Sequence, residues 1–148
     1  MIKSKNCKIE DLHLDSCRAK SDKMGQIFSA LAQNTSILSL TLENMNIPLP
    51  SLDQFVEVLQ TNETLYILTL QNTGLNDEAI SKMAEGLKHN KTLVYMDLRK
   101  NTYETEGLQA LLHSLMGNES LMTLRLNTLQ ISQKGAKNFQ QLFSHPNC

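Results

Sequence analysis

Leu65-Tyr66-Ile67-Leu68-Thr69-Leu70-Gln71, in the middle of the chain, reads as an aliphatic residue, two variable residues, an aliphatic, one variable residue and an aliphatic. The phrase returns every 28 residues in both directions: Ile9 with Leu12 and Leu14, Ile37 with Leu40 and Leu42, Leu93 with Met96 and Leu98, Leu121 with Leu124 and Leu126. Self-similarity at a fixed period of this length marks a solenoid. Strand side chains alternate, so the fourth and sixth residues of each phrase turn to one side together.

The register extends beyond the phrase. Eighteen residues after each opening position stand Ile27, Phe55, Met83, Leu111 and Phe139; twenty-two after stand Leu31, Leu59, Leu87, Leu115 and Phe143. Two columns four residues apart share one face of a helix. Each unit is therefore a short strand, a turn and an amphipathic helix. No unit can bury its apolar face alone, and stacking puts the strands in one parallel sheet with helices over its other face. The fold class is α/β: a right-handed solenoid bent into a horseshoe arc, with five strand–helix units of 28 residues, a concave parallel sheet and convex helices. The organisation is one domain over residues 1–148, with repeats starting near 9, 37, 65, 93 and 121.

Helix ends recur with the same period. Ser51, Asp77, Thr105 and Ser132 precede the helical runs, where a side-chain oxygen can accept orphan N–H groups, and Ser51 with Gln54 fits a capping box. Asn34, Asn62, Asn90 and Asn118 follow the helices, where Asn tolerates the left-handed conformation that closes many of them. These asparagines also form Asn-Xaa-Ser/Thr sequences, the acceptor pattern for N-glycosylation. A helix cap followed by a β-favouring residue is the preferred reading, because the Met1 to Lys8 stretch has charge but no apolar run like that of a signal peptide.

Composition excludes several classes. The 148 residues are 41% hydrophobic with formal net charge −1, and no apolar run reaches the ~20 residues of a membrane span. The charge gives no electrostatic case for nucleic acid. Three cysteines make no disulfide framework: Cys7 and Cys148 lie in the tails, and Cys17, at the ninth repeat position, reads as an inward packing residue. The other ninth positions are Met45, Thr73, Asn101 and Leu129; Met45 and Leu129 cannot donate to the turn, so its backbone must find other partners there. No phosphate loop, paired Cys-Xaa-Xaa-Cys, His-Glu-Xaa-Xaa-His or nucleophile elbow occurs. The four histidines, His13, His89, His113 and His145, are scattered. The expectation is no enzyme, no cofactor and no metal.

What the repeat displays is a face. The third, fifth, seventh and eighth positions of each phrase are expected to face the concave side. The third reads Asp11, Ser39, Ile67, Tyr95, Thr123; the fifth His13, Thr41, Thr69, Asp97, Arg125; the seventh Asp15, Glu43, Gln71, Arg99, Asn127. The face is acidic in the first two repeats and basic in the last two, with Ile67 beside Tyr95 between them. An aromatic anchor flanked by arginine has the composition of a binding hot spot. The alternative is that exposed strand positions simply favour aromatic and β-branched types. The candidate partner-binding residues are Ile67, Tyr95, Asp97, Arg99 and Arg125. Asp97 and Arg125 share a column on adjacent strands and are expected to pair, leaving Arg99 free to meet an acidic group on a protein partner.

The unit length and strand phrase resemble the ribonuclease-inhibitor type of leucine-rich repeat, from Ile9 to Phe143. Within that class, Asn46-Ile47-Pro48-Leu49-Pro50-Ser51-Leu52 and Met83-Ala84-Glu85-Gly86-Leu87-Lys88-His89-Asn90-Lys91 are similar to a turn and a helix end of the leucine-rich domain of tropomodulin and leiomodin. The resemblance implies a cytoskeletal role and capping of actin pointed ends. The tropomyosin-binding and first actin-binding segments that precede the repeats in that family have no counterpart in this sequence, nor is there room after the fifth repeat for a further C-terminal helix, so capping is not expected of this chain alone. The expected function is a non-catalytic, cytoplasmic protein–protein interaction module that binds through the concave sheet, with actin as a candidate partner, no nucleic acid or membrane partner, and a monomeric state. The alternatives are a microbial effector or a regulatory scaffold that self-assembles end to end.

Overall fold

A computed structural model of the chain describes residues 8–127 and 133–146. Strand and helix alternate throughout: β1 Asp11–Asp15, α1 Ser21–Ala32, β2 Ser39–Glu43, α2 Leu52–Thr61, β3 Ile67–Gln71, α3 Asp77–Leu87, β4 Tyr95–Asp97, α4 Thr105–Leu115, β5 Thr123–Arg125 and α5 Gln133–Phe143. The five strands form one parallel sheet in chain order. Its register is the repeat itself, because Leu12 pairs with Leu40, Leu40 with Leu68, Leu68 with Met96 and Met96 with Leu124. This is the leucine-rich-repeat solenoid that the 28-residue period requires.

The core is the stack of inward columns. Leu40, Leu68 and Met96 with Leu42, Leu70 and Leu98 are buried from the strands, and Phe55, Met83 and Leu111 with Leu31, Leu59 and Leu87 from the helices. The end units are looser, as nearest-neighbour stacking dictates. Leu12 and Leu14 are half-buried, and Phe143, the last member of its helical column, is 70% exposed. Helices pack so closely that a Cβ on Gly86 would lie 2.8 Å from Leu59 Cβ and 3.2 Å from the Val56 carbonyl. Gly86→Ala is therefore expected to destabilise the fold by about 1–3 kcal/mol through overpacking, although alanine is the better helix former. Chemical denaturation checks this; a stability gain would show that α2 and α3 have room to part.

The four asparagines after the helices do more than end them. None is needed in the left-handed region, and Asn62 is extended (φ −77°, ψ 124°). All four are buried. Each Oδ1 accepts from the N–H groups two and three residues on: Ser36 and Ile37, Thr64 and Leu65, Thr92 and Leu93, Ser120 and Leu121. The Nδ2 groups of Asn62, Asn90 and Asn118 donate to the Leu31, Leu59 and Leu87 carbonyls of the unit before. The hydroxyls of Thr64, Thr92 and Ser120 also reach back, to the carbonyls of Asn34, Asn62 and Asn90. Both ends of each of these three Asn-Xaa-Ser/Thr triplets are thus inter-repeat fasteners, which explains the pattern without glycan chemistry.

Several local expectations are corrected. Left-handed backbone falls instead at the eighth repeat position, in Ser16, Asn44, Asn72 and Lys100, with φ between 51° and 61°. Short polar side chains at three of those positions suit that conformation. Ser51 makes no capping bond; its Oγ donates to the Pro48 carbonyl, and α2 enters through a 3-10 turn at Leu49–Ser51. Asn76, not Asp77, caps α3 by accepting from Ala79 N–H at 3.0 Å. Asp77 Oδ1 instead crosses to the next unit and accepts from Glu104 and Gly107 N–H at 2.8 and 2.7 Å. It does for the start of α4 what no side chain at Glu104 does. Thr105 is already the first residue of α4. Ser132, Leu129, Cys7 and Cys148 lie outside the described residues.

The ninth position behaves as its donors dictate. Asn101 Oδ1 accepts from Thr73 and Leu75 N–H, and its Nδ2 donates to the Leu70 and Leu98 carbonyls, all at buried positions. Thr73 Oγ1 donates to the Leu70 carbonyl. Where Met45 offers nothing, Ile47 N–H donates to the Thr73 carbonyl of the next repeat. Cys17 does not pack inward: it is an exposed free thiol whose Sγ approaches the Asp15 carbonyl at 3.5 Å.

Candidate functional site: the concave sheet face

The candidate residues sit on three adjacent strands, positioned by the sheet register: Ile67 on β3 beside Tyr95 on β4, and Asp97 on β4 beside Arg125 on β5. Arg99 lies in the turn after β4, two residues beyond Asp97. The third-position pair is open to solvent, with Ile67 42% exposed and Tyr95 half-buried. Arg125 stands over the Tyr95 ring, its guanidinium carbon 5.8 Å from the centroid. A cation over an aromatic face is worth ~0.5–1 kcal/mol when exposed. The stack therefore holds Arg125 in place while leaving its N–H groups available.

The charge pairing differs from the expected one. Asp97 faces Arg125 in register, but its carboxylate is held by Arg99: Nη2 donates to Oδ2 at 2.6 Å, Nε to Oδ1 at 2.9 Å, and the Arg99 backbone N–H to Oδ1 at 3.1 Å. Gln71 Nε2 adds a fourth donor at 3.2 Å. Asp97 is 1% exposed beneath these groups. Arg99 is thus the matched cation and Arg125 the open one. From the turn after β4, Arg99 reaches back to Asp97, because its side chain is long enough to bridge two residues with a planar fork.

Burial alone would raise the Asp97 pKa, but the hydrogen bonds from Arg99 and its charge, with Arg125 further off, outweigh it and leave the group below the ordinary aspartate value. A depressed folded-state pKa stabilises the fold above the unfolded value of about 3.9, and that contribution is lost as pH falls through the lower folded value. Thermal unfolding over an acid series should show Asp97→Asn losing part of this dependence; identical acid profiles would place the titrating group elsewhere.

The acidic end is looser. Asp15 accepts from Asn44 Nδ2 at 2.8 Å, which with a Ser16 hydrogen bond draws its pKa down, and His13 lies 4.0 Å from Glu43. Among the described residues no group of three His, Cys, Asp or Glu side chains could hold a metal ion.

The second position of the phrase was not singled out by strand parity, which assigns it to the core side. It carries Leu38, Tyr66, Val94 and Met122, and Leu38, Tyr66 and Met122 are exposed. Its signal in the sequence is the apolar column Leu38, Tyr66, Val94 and Met122, which Glu10 breaks in the first repeat.

The basic end of the sheet face thus carries the stacked Arg125–Tyr95 pair beside the Asp97–Arg99 ion pair. The model of the TMOD/LMOD leucine-rich domain matches residues 36–144, and the chain belongs to that family. Among solved structures it is similar to leiomodin-1 actin-binding site 2, with TM-score 0.67 and 23% identity over 84% of this chain and 70% of that one. It is also similar to the tropomodulin C-terminal domain of Caenorhabditis elegans, with TM-score 0.79 and 11% identity over 97% of this chain and 87% of that one. No curated protein matches the chain in sequence. No helix among the described residues is long and apolar enough to cross a membrane.

Proposed function

We propose that residues 1–148 form one leucine-rich-repeat domain acting as a cytoplasmic, non-catalytic cytoskeletal adaptor that binds a protein partner through the concave sheet, with actin the first partner to test. The observation that carries this reading is the Arg125 guanidinium stacked over Tyr95 beside exposed Ile67, an amphipathic anchor at the basic end of the face. A partner carboxylate would bond the Arg125 fork while an apolar neighbour covers Tyr95 and Ile67. Membership of the TMOD/LMOD leucine-rich domain family supports a cytoskeletal partner, and the likeness to an actin-binding site of leiomodin-1 supports actin.

The revised charge pairing sets an order of effects. Arg125→Glu should weaken binding at least ~10-fold, equivalent to about 1.4 kcal/mol. Arg99→Ala should weaken it less, acting through the uncovered Asp97 carboxylate. Co-sedimentation with filamentous actin and equilibrium binding to monomeric actin test both. Unchanged affinity in Arg125→Glu, or a larger loss in Arg99→Ala, would remove the stack from the site.

A second reading, end-to-end self-assembly, is favoured by the apolar side chains left at the two ends of the solenoid, Ile9 at 45% and Phe143 at 70% exposure. Light scattering over a concentration series separates the two, since assembly raises the mass with concentration and a concave-face binder stays monomeric.

A further inference from the structure

Every strand after the first starts with the same irregularity. The N–H groups of Leu38 and Ser39 both donate to the Glu10 carbonyl, those of Tyr66 and Ile67 to Leu38, those of Val94 and Tyr95 to Tyr66, and those of Met122 and Thr123 to Val94. The shared acceptor marks where the regular ladder begins, so strand alternation does not extend to the second position, which precedes each strand and turns its side chain outward. The outward column is Leu38, Tyr66, Val94 and Met122, a ridge along the rim where helices return to strands. Of six large apolar side chains exposed among the described residues, three lie here: Leu38, Tyr66 and Met122. Met122 is 83% exposed. A contiguous apolar ridge is uncommon on a surface that nothing covers.

A groove beside the ridge is lined by Tyr66, Val94 and Met122 together with Lys88, Lys91 and Glu119. Neither lysine makes an ion pair among the described residues. The groove is mixed in character: Tyr66, Val94 and Met122 supply its apolar wall, Lys88 and Lys91 its cations, Glu119 its one carboxylate, and Asn90, Thr92 and Ser120 neutral polar groups. Ridge side chains on neighbouring strands are about 4.8 Å apart. That spacing fits side chains one turn apart on a helix, with its pitch of about 5.4 Å, better than alternate residues of an extended strand, about 6.7 Å apart. Three such steps span about 14 Å, or some ten helical residues.

We propose that this rim is a second docking surface, for an amphipathic acidic helix of a partner protein laid across the strands, with its apolar face on Tyr66, Val94 and Met122 and its carboxylates toward Lys88 and Lys91. It is separate from the Arg125–Tyr95 stack and stands without it. The probe is a fluorescein-labelled model helix with leucines at i, i+4, i+7 and i+11 spacing and flanking glutamates, beside the same helix with lysines for the glutamates. Anisotropy should show saturable binding of the acidic helix, at least ~10-fold weaker for the lysine helix. Met122→Glu and the double variant Lys88→Glu/Lys91→Glu should each weaken it to a similar degree. Lys137→Glu on the outer face of α5 should not, and the exposure of Met122 lets its variant keep the wild-type melting temperature. No saturable binding, binding indifferent to helix charge, or equal loss in Lys137→Glu overturns the proposal. Sedimentation in which the wild type dimerises and Met122→Glu is monomeric also overturns it, assigning the ridge to a second copy of the chain.

Discussion

Leu68→Ala is expected to lower the stability of the fold by about 2–5 kcal/mol. Leu68 is 0% exposed on the central strand β3, paired in register with Leu40 and Met96 and in the same buried core as the helical Leu87, itself 0% exposed. The flanking units are held by the same column, so a cavity here cannot be closed by moving a free end. For a chain of this size the loss corresponds to a fall in melting temperature of roughly 2–4 °C per kcal/mol. Thr69→Ala, one residue along and on the concave side, should stay within about 0.5 kcal/mol. Thermal unfolding of the two variants side by side checks the assignment of faces, and equal losses would reverse it.

Asn101→Ala is the polar counterpart. One side chain satisfies Thr73 and Leu75 N–H and the Leu70 and Leu98 carbonyls. Alanine leaves these backbone groups without that partner, and each buried unsatisfied group costs about 1–3 kcal/mol. Water entry will recover part, so a total of about 3–5 kcal/mol is expected, as large as a core truncation. Denaturant titration of Asn101→Ala would contradict this with a change below about 1 kcal/mol.

The fold was legible because the period is the register. A column such as Leu12, Leu40, Leu68, Met96, Leu124 names its own hydrogen-bonded neighbours before any coordinates are known. Features set by one repeat acting on the next were harder to read. Asp77 was placed as its own helix's cap, but a carboxylate just inside a helix start can reach a neighbouring helix whose position depends on the whole stack. The charge pairs of the face failed for a related reason. Sharing a column made Arg125 the natural partner of Asp97, yet Arg99, two residues on along the chain, reaches the same carboxylate with a bidentate fork and a backbone N–H. Arg125 then rests on Tyr95. Met122 was hidden by parity, which holds only where strand pairing is regular, and the shared acceptor at each strand start breaks it.

The central claim, that the concave sheet carries partner binding, is tested most directly by one titration against actin of four proteins: wild type, Tyr95→Ala/Arg125→Glu, Lys82→Ala and Lys137→Ala. Lys82 lies on the convex side, 2.8 Å from Asp53, and Lys137 is exposed on α5. Saturable binding is expected of the wild type and of both lysine variants, with a loss of at least ~10-fold in the double variant at an unchanged melting temperature. Binding that survives Tyr95→Ala/Arg125→Glu and is abolished by the lysine substitutions would contradict that claim and move the function to the helices.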